Sequence, residues 1–344
     1  MKNKIMKNTL RVIYVVFITI IVIIATLFMA LKLITSNISV SAKELFVTTV
    51  LETGRMKFLA GLFVSEKEID EIVNNNKMID FNVEADKDLI EINENNKDEI
   101  KLVKIPGKSF EAKMLIVNDP SRVKLSTIYP WKKLGIELHE LVKKEDAIGG
   151  INGGLYVSDG NTGGKPLGVV IKNKEIQHNE PGLTGLHLIG LDEDNLLRII
   201  DLTGMNKNDV EKLVKEEKIR DAVSFQDHTS RDSNHFVKLI INGKTRDIKG
   251  SGSGANPRTA IGQKKDGTLL LLVTDGRGKN GHPGATAKDL IKIMKEYGAI
   301  NAANLDGGSS SVMYYEDKYE MTSVTLYYSN SSWRLPAGFV IEKR

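Results

Sequence analysis

The hydrophobic pattern of the N-terminal region predicts helices, the first of which is long enough to cross a membrane. Residues 12–31 contain no charged side chain and are nearly all apolar. A helix of about 20 such residues spans the hydrocarbon core of a bilayer. From there to Asn76, apolar residues recur at spacings of three and four, which is typical of amphipathic helices. Ser65 followed by Glu68 predicts a capped helix start.

The pattern changes from helical to alternating at about Asp88. Residues 89–92 and 100–105 alternate apolar and polar side chains on either side of a polar loop, which predicts a β-hairpin. The same reasoning predicts further strands in 114–117, 123–128, 147–151, 167–171 and 235–242, and a short charged helix over 209–219.

The last third of the chain predicts a strand, a helix and a second strand. Residues 268–274 are almost entirely apolar and end at Asp275, and residues 302–305 end at Asp306. Between them, Thr286 can cap a helix that Gly298 closes. A right-handed crossover would make the two strands run in the same direction. We therefore expect Asp275 and Asp306 to emerge at one edge of the sheet, where ligand clefts form.

The distribution of charge predicts which side of a membrane each part of the chain occupies. Four basic residues precede the apolar segment, whereas only Lys32 closely follows it; the four are Lys2, Lys4, Lys7 and Arg11. The excess of positive charge on the cytoplasmic side then predicts a single-pass cell-membrane protein whose C-terminal domain is extracytoplasmic. A cleavable signal peptide is the alternative, because residues 39–42 resemble a cleavage site, although the apolar segment is longer than usual.

Composition narrows the classes of function and chemistry. The chain of 344 residues has no cysteine, which excludes thiolate catalysis and cysteine-based zinc sites. His228 and His235 lie seven residues apart, which is not a helical metal-ligand spacing, and we predict neither a metal nor a cofactor. The net charge of +4 includes the four cytoplasmic basic residues, so the external part is near neutral and no nucleic-acid partner is expected. We divide the chain into a tail and anchor (1–36), a helical stalk (37–79) and one domain (80–344).

The loop at 304–310, Asn-Leu-Asp-Gly-Gly-Ser-Ser, is the strongest candidate for a functional site. Glycine lets backbone approach a ligand closely, while Asp, Asn and Ser supply donors and acceptors. If Asp306 and Asp275 converge at a cleft, they have the arrangement by which two carboxylates cleave a glycosidic bond. The alternative for each carboxylate is an acceptor in a turn or a cap.

Other polar side chains near these loops could bind a substrate. Arg258 and Arg277 can each offer a planar fork of donors to a phosphate or carboxylate, or they can form internal ion pairs with the carboxylates. His282 could transfer a proton near neutral pH. Asn152, beside two glycines, could hold sugar hydroxyls or simply occupy a turn.

Four segments in fixed order resemble the phosphodiester glycosidase domain family. They are Ile-Asn-Gly-Gly at 151–154, Asn-Pro-Arg-Thr-Ala-Ile-Gly at 256–262, Thr-Asp-Gly-Arg at 274–277 and the loop at 304–310. The resemblance covers roughly residues 88–344. It implies an α+β domain, with a mixed sheet and flanking helices, that hydrolyses a sugar 1-phosphodiester to a free sugar and a phosphomonoester.

Carried onto this chain, the motif positions are Asn152, Arg258, Thr259, Asp275, Arg277, Asn304, Asp306, Ser309 and Ser310. On this basis we expect Asp306 and Asp275 to supply acid, base or nucleophile chemistry and the two arginines to stabilise phosphate charge. The remaining polar residues, together with His282, would position the substrate.

The substrate expected for such an external enzyme is a phosphorylated glycan, such as a cell-wall polymer or exopolysaccharide. The chain lacks the cysteine-rich extension of the animal members and carries its anchor at the N-terminus, so substrate identity does not transfer from them. Two alternatives remain open. One is a non-catalytic polysaccharide-binding or envelope-assembly module, and the other is a metal-dependent phosphodiesterase that cleaves the other ester bond.

Overall fold

The computed structural model describes residues 2–54, 56–93, 99–230, 233–323 and 331–343. The helices are α1 (Lys2–Ile34), α2 (Val40–Leu51), α3 (Phe58–Phe63), α4 (Glu66–Asn75), α5 (Leu138–Lys144), α6 (Lys207–Glu216) and α7 (Ala287–Glu296). Short 3₁₀ turns occur at Lys87–Leu89, Pro120–Arg122 and Gly308–Ser310.

The strands, in chain order, are β1 (Ile100–Pro106), β2 (Glu111–Val117), β3 (Val123–Thr127), β4 (Ala147–Asn152), β5 (Val169–Lys172), β6 (Glu175–Asn179), β7 (Leu186–Asp192), β8 (Leu197–Asp201), β9 (Ile219–Gln226), β10 (His228–Ser230), β11 (Ser233–His235), β12 (Lys238–Ile241), β13 (Lys244–Thr245), β14 (Thr259–Lys264), β15 (Leu269–Thr274), β16 (Ala299–Asn304), β17 (Val312–Tyr315), β18 (Lys318–Thr322) and β19 (Ala337–Glu342).

Helix α1 has the length and composition of a membrane-spanning helix. Its segment Met6–Ile34 contains an 18-residue stretch with a mean hydropathy of 3.0 that is not buried against the rest of the chain. The helix predicted from residues 12–31 is therefore confirmed. An N-terminal signal sequence has the same features, because both need a long apolar helix near the start of the chain.

Helices α2 to α4 pack together and lie against the following domain. Their shared core includes Val47, Ala60 and Ile69, which are almost fully buried. The predicted start of α4 is confirmed, because the Ser65 side chain accepts a hydrogen bond from the Glu68 amide. After α4, Met78 forms a β-bridge with residue 248 of the domain. The segment predicted to be a stalk thus contacts the domain as well as preceding it.

The central sheet has seven strands in the order β1-β2-β15-β14-β16-β12-β13. Strand β15 is apolar throughout because both of its faces are buried. Leu270 and Leu272 pack with Leu290 and Met294 of α7 on one face. The other face packs against two five-stranded sheets and contributes residues 269, 271 and 273 to the largest apolar cluster. Successive side chains of a strand point to opposite faces, so an almost uninterrupted apolar strand indicates a central position.

The two five-stranded sheets have the orders β18-β17-β4-β19-β3 and β6-β5-β9-β7-β8, and β10 pairs with β11 alone. Helix α5 covers the first sheet and α6 covers the second. This arrangement confirms the α+β class with flanking helices. The mixed sheet that the resemblance implied is not found, because every hydrogen-bonded pair of strands among the described residues is antiparallel.

The hairpin predicted between residues 89–92 and 100–105 is wrong. Strand β1 pairs with β2 instead, with Ile100 opposite Val117. The amides of residues 91 and 93 donate to the carbonyls of Lys265 and Asp266, in the turn between β14 and β15. Alternation predicts a half-buried extended segment but not its partner, which long-range packing selects. Residues 94–98 of the predicted loop lie outside the described residues.

Strands β15 and β16 run in the same direction, as predicted, but they are not neighbours. Strand β14 lies between them and is antiparallel to both. Helix α7 therefore crosses over one strand on its way from β15 to β16. The start of β14 lies at the edge where β15 and β16 end, because Thr259 is opposite Val273 and Ala260 is opposite Asn304. Three loops consequently meet at this edge.

Candidate active site

A cleft of about 330 Å³ opens where the three loops meet. Its walls combine residues that follow α2, residues from β9 and β11, the segment before β14, and the loops after β15 and β16. The lining residues are Glu52, Gly54, Lys57, Phe225, Asn234, His235, Asn256, Arg258, Arg277, Asp306, Gly307 and Gly308.

Asp306 lines the cleft just after the end of β16. Its backbone carbonyl accepts from Asn152 Nδ2 at 2.7 Å, and its side chain accepts from the Gly307 amide at 2.9 Å. Burial raises the pKa of the Asp306 carboxyl to about 6, against the opposing effects of Ser310, Gly307 and Arg277. Near neutral pH this carboxyl therefore exists in both protonation states, as a group that transfers protons must.

Arg277 places a buried guanidinium in the same cleft. It lies in the loop after β15, in the left-handed backbone region at φ 54°. Its Nη1 donates to Ser309 Oγ at 2.7 Å, while its buried Nε has no hydrogen-bond partner among the described residues. Burial, followed by the nearby charge of Arg258, lowers the pKa of Arg277, and Asp306 opposes that effect. The guanidinium retains donor capacity that an anion in the cleft could use.

Arg258 forms an internal ion pair, but its partner is Glu52 and not Asp275 or Asp306, the carboxylates that the sequence suggested. Its Nη2 donates to Glu52 Oε2 at 2.6 Å, to Ser253 Oγ at 3.1 Å and to the Gly254 carbonyl at 2.9 Å. The guanidinium also lies 5.0 Å from the centre of the Phe236 ring. These contacts hold Arg258 rigidly at the wall of the cleft.

Asp275 and His282 lie outside the lining of the cleft. Asp275 is almost fully buried, and its Oδ1 accepts from the Glu111 amide at 2.7 Å. Its Oδ2 lies 2.8 Å from His282 Nδ1. Asp275 therefore joins β2 to the loop that carries Arg277 and His282. The expectation that Asp275 and Asp306 face one cleft is wrong: they emerge at the same edge, but the Asp275 side chain is directed to β2.

Asn152, Thr259 and Asn304 form a buried layer beneath the cleft. Asn152 Oδ1 accepts from Thr259 Oγ1 at 2.7 Å and from the Val312 amide at 3.2 Å. Asn304 Nδ2 donates to the Phe236 carbonyl at 3.0 Å. None of the three lines the cleft, and each is at most 1 % exposed. Their hydrogen bonds fix the backbone that presents Asp306.

Ser309 and Ser310 hold the two charged groups of the cleft in place. Ser309 accepts from Arg277, whereas Ser310 hydrogen-bonds Asp306 and thereby opposes the rise in its pKa. Ser310 Oγ also lies 2.7 Å from the hydroxyl of Tyr156, whose pKa is raised by burial and by the charge of Asp306. The loop predicted to be functional is thus organised around Asp306 and Arg277.

Comparison with known proteins identifies the family. The family model described as phosphodiester glycosidase matches residues 145–342, which is more than half of the chain. The chain belongs to the phosphodiester glycosidase family. The match contains Asn152, Arg258, Arg277 and Asp306, whereas Glu52 precedes it.

The chain is also similar to one curated protein and shares its fold with one solved structure. Over 181 residues the chain is 28 % identical to the SPbeta prophage-derived uncharacterized protein YomE of Bacillus subtilis (strain 168), covering 52 % of this chain and 26 % of that protein. It therefore spans about a quarter of that relative. The zebrafish N-acetylglucosamine-1-phosphodiester alpha-N-acetylglucosaminidase catalytic domain, auto-inhibited by its pro-peptide, has the same fold, with a TM-score of 0.51 at 21 % identity. That alignment covers 72 % of this chain and 83 % of the zebrafish chain.

Sequence reasoning did not select several residues that line the cleft of this phosphodiester glycosidase domain. Glu52 follows α2, and Asn234 and His235 belong to the short strand β11, so none lies in a motif. Burial, followed by the charge of Arg258, lowers the pKa of His235, which is therefore neutral at pH 7. Its ring lies 5.5 Å from that of Phe225. No spacing in the sequence indicates these positions, because they reach the cleft only through packing.

Proposed function

We propose that this protein is a membrane-anchored hydrolase that acts outside the cytoplasm and cleaves the glycosidic bond of a sugar 1-phosphodiester. One observation carries the proposal: the Asp306 carboxyl, with a pKa of about 6, shares a cleft with the buried guanidinium of Arg277. Membership of the phosphodiester glycosidase family supports the same reaction class.

The reaction breaks the bond between the anomeric carbon of the sugar and a phosphate oxygen. That oxygen leaves with the bonding electron pair, so the phosphate group gains a second negative charge. Arg277, whose Nε lacks a partner among the described residues, would donate hydrogen bonds to the departing phosphate. Donors held in place before charge develops stabilise a transition state strongly.

Asp306 would act as the general base in this reaction. In its ionised form it removes a proton from a water molecule, whose oxygen forms the new bond to the anomeric carbon. The products are a free sugar and a phosphomonoester, and the proton on Asp306 returns to solvent. A phosphomonoester is a weakly basic leaving group, so the base and the charge-stabilising cation do most of the catalysis.

The N-terminal helix would hold this domain close to the cell surface. The long apolar segment Met6–Ile34, preceded by basic residues, supports a single-pass anchor with the domain outside. A substrate accessible there, with sugars and phosphates in alternation, is a phosphorylated cell-wall polymer or exopolysaccharide. The cleft is at the small end of the range for ligand sites, which suits one sugar phosphate unit rather than a long polymer segment.

The proposal is tested with the full-length protein in detergent micelles. The substrates are methyl phosphodiesters of N-acetylglucosamine 1-phosphate and of other sugar 1-phosphates, together with phosphorylated wall polymers, and the measurement is the release of free sugar. Asp306→Asn should reduce release by about 10²–10⁴-fold, the usual contribution of a general base. Asp194→Asn makes the same chemical change in an exposed turn and should have no effect. Absence of release from every substrate would contradict the proposal.

A non-catalytic glycan-binding module is the second candidate. The position of Asp275 outside the cleft favours it, because glycosidases usually place two carboxylates beside the scissile bond. This candidate predicts polymer binding that Asp306→Asn leaves unchanged, with no product formed. A phosphodiesterase that cleaves the other ester bond would instead release sugar phosphate, which the same assay distinguishes from free sugar.

A further inference from the structure

Glu52 is held in the cleft by four hydrogen-bond donors. Its Oε1 accepts from the Gly254 amide at 2.7 Å and from Asn234 Nδ2 at 3.1 Å. Its Oε2 accepts from Asn256 Nδ2 at 3.2 Å and from Arg258 Nη2 at 2.6 Å. The side chain is only 8 % exposed. A carboxylate with two donors on each oxygen has its acceptor positions occupied, so it is poorly suited to act as a nucleophile or a base.

The membrane-proximal helix α2 fixes this carboxylate in place. Glu52 directly follows the last turn of α2, and Thr49 of the same helix accepts a hydrogen bond from the Ala255 amide at 3.0 Å. A methyl group at Gly254 would lie 2.6 Å from the Thr48 carbonyl oxygen, so the backbone of α2 rests directly on this glycine. The segment before the family-matched residues 145–342 thereby contributes a wall of the cleft.

The pairing of Glu52 with Arg258 determines how much positive charge the cleft presents. Five charged side chains line it: the cations Lys57, Arg258 and Arg277 and the carboxylates Glu52 and Asp306. Glu52 neutralises Arg258 in a direct ion pair, and the negative charge of Asp306 acts on Arg277. With Asp306 ionised, these charges sum to +1, so a ligand anion meets the equivalent of one cation.

We propose that Glu52 is a specificity-determining residue that makes the cleft prefer a singly charged phosphodiester to a doubly charged phosphomonoester. The inference rests on the proposed function, in which the diester is the substrate and the monoester is the product. A phosphodiester carries one negative charge, which the net charge of the cleft can balance, whereas a phosphomonoester carries two at alkaline pH. By cancelling the charge of Arg258, Glu52 keeps the net charge of the cleft from rising to +2, which would otherwise retain the product.

The proposal is tested by measuring two binding constants for the full-length protein in detergent micelles at pH 8. The probes are dimethyl phosphate, a monoanion, and methyl phosphate, a dianion at this pH, and the method is isothermal titration calorimetry. Glu52→Gln should bind methyl phosphate about tenfold or more tightly than the wild type does, because a unit charge several ångströms away is worth more than a factor of ten at a protein surface. Its affinity for dimethyl phosphate should change much less.

Matched variants separate charge from the other effects of the substitution. Glu71→Gln makes the same change at an exposed position of α4 and should keep both wild-type constants. The double variant Glu52→Gln with Arg258→Gln removes both charges of the pair, leaves no unpaired buried charge, and should keep the wild-type ratio of the two constants. If the single variant does not fold, Arg258→Gln takes its place: it leaves the charge of Glu52 uncompensated and should weaken the binding of methyl phosphate more than that of dimethyl phosphate, and an unchanged ratio would contradict the proposal.

Three results would overturn the proposal. If Glu52→Gln changed neither constant, the carboxylate would not influence the binding of either anion. An equal gain for both probes would mean that Glu52 merely obstructs the cleft. An altered ratio in the double variant would be equally contrary. Because the probes contain no sugar and are not hydrolysed, these binding measurements are independent of the sugar-release assay. The proposed hydrolysis and the proposed role of Glu52 can therefore each be contradicted separately.

Discussion

At the scale of single residues, the chemistry of the cleft depends on the environment of Asp306. Its motif predicts an exposed turn equally well, and only burial gives its carboxyl a pKa of about 6. Arg277 and Ser310 moderate that shift without removing it. Asp275, which has the same chemical group, uses both of its oxygens to connect backbone and His282. Two similar loop aspartates thus have different environments because their neighbours differ.

The proposed base role predicts a specific pH dependence. Because Asp306 must be ionised to accept a proton, kcat/KM for sugar release should rise with pH and reach half of its plateau near pH 6. The measurement is a pH profile with a neutral-pH plateau as the reference. A profile that falls through pH 6 would instead indicate that Asp306 donates a proton, and the base role would be wrong.

Replacing Asp306 should also change how stability depends on pH. Burial raises the pKa of Asp306 from 3.8 to about 6, so folding disfavours its ionised form and the wild type loses stability as pH rises between these values. Asp306→Asn lacks this loss. Between pH 4 and pH 8 its unfolding free energy should therefore gain up to about 3 kcal/mol relative to the wild type.

Urea unfolding at the two pH values measures this effect, and the comparison cancels contributions that do not depend on pH. The exposed substitution Asp194→Asn serves as the control. A stability difference that stays constant from pH 4 to pH 8 would show that the carboxyl is not perturbed in the folded protein.

At the scale of elements, the site depends on how β14, β15 and β16 bring three loops to one edge. The sequence pattern predicts the crossover and the common direction of β15 and β16. It does not predict that β14 lies between them, which is what brings Arg258 to the same edge. Within the loop after β16, Gly308 adopts φ 63°, and a methyl group there would lie 2.6 Å from Arg277 Nη2.

Substituting Gly308 should therefore lower the catalytic efficiency by more than any loss of folded protein would explain. Gly308→Ala must displace the Arg277 guanidinium, and kcat/KM for sugar release should fall by about tenfold or more, in line with the loss of one charged hydrogen-bonding contact. Gly243→Ala is the matched control, because Gly243 also has a positive φ of 75° but has open space around it. Equal effects of the two substitutions would mean that backbone strain, and not the position of Arg277, is responsible.

At the scale of the whole molecule, the chain joins an apolar helix, a helical segment and a phosphodiester glycosidase domain. The helical segment lies against the domain and supplies Glu52, so it is more than a spacer. If α1 anchors the protein, α2 begins six positions after the last residue of α1 and ends beside the cleft. The orientation of the cleft would then be tied to the membrane.

An uncleaved anchor predicts how the protein fractionates. The full-length protein should sediment with membranes, resist extraction by alkaline carbonate, and dissolve in detergent, because about 20 apolar residues hold a helix in a bilayer essentially irreversibly. Mass spectrometry of the purified protein should find residues 1–36 still attached. A soluble product that begins near residue 43 would show instead that the segment is a signal peptide.

The sequence by itself determined the apolar N-terminal helix, the helix caps, most strands of the domain, the family and the identity of Asp306 and Arg277 as candidates. Each of these depends on local order along the chain: periodicity, capping residues, or short motifs. The sequence also selected Asn152 and Thr259 as residues of the site, but it predicted that they would contact the substrate. In the structure they are buried and hydrogen-bond each other beneath the cleft.

Only the tertiary structure decided three features. They are the pairing of β1 with β2, the position of Asp275 outside the cleft and the position of Glu52 in the cleft wall. These outcomes depend on which distant segments come together and on the direction of each side chain, and neither is encoded in local spacing. Glu52 is about 200 positions from Arg258 in the chain, yet their side chains are in contact because α2 packs directly on Gly254.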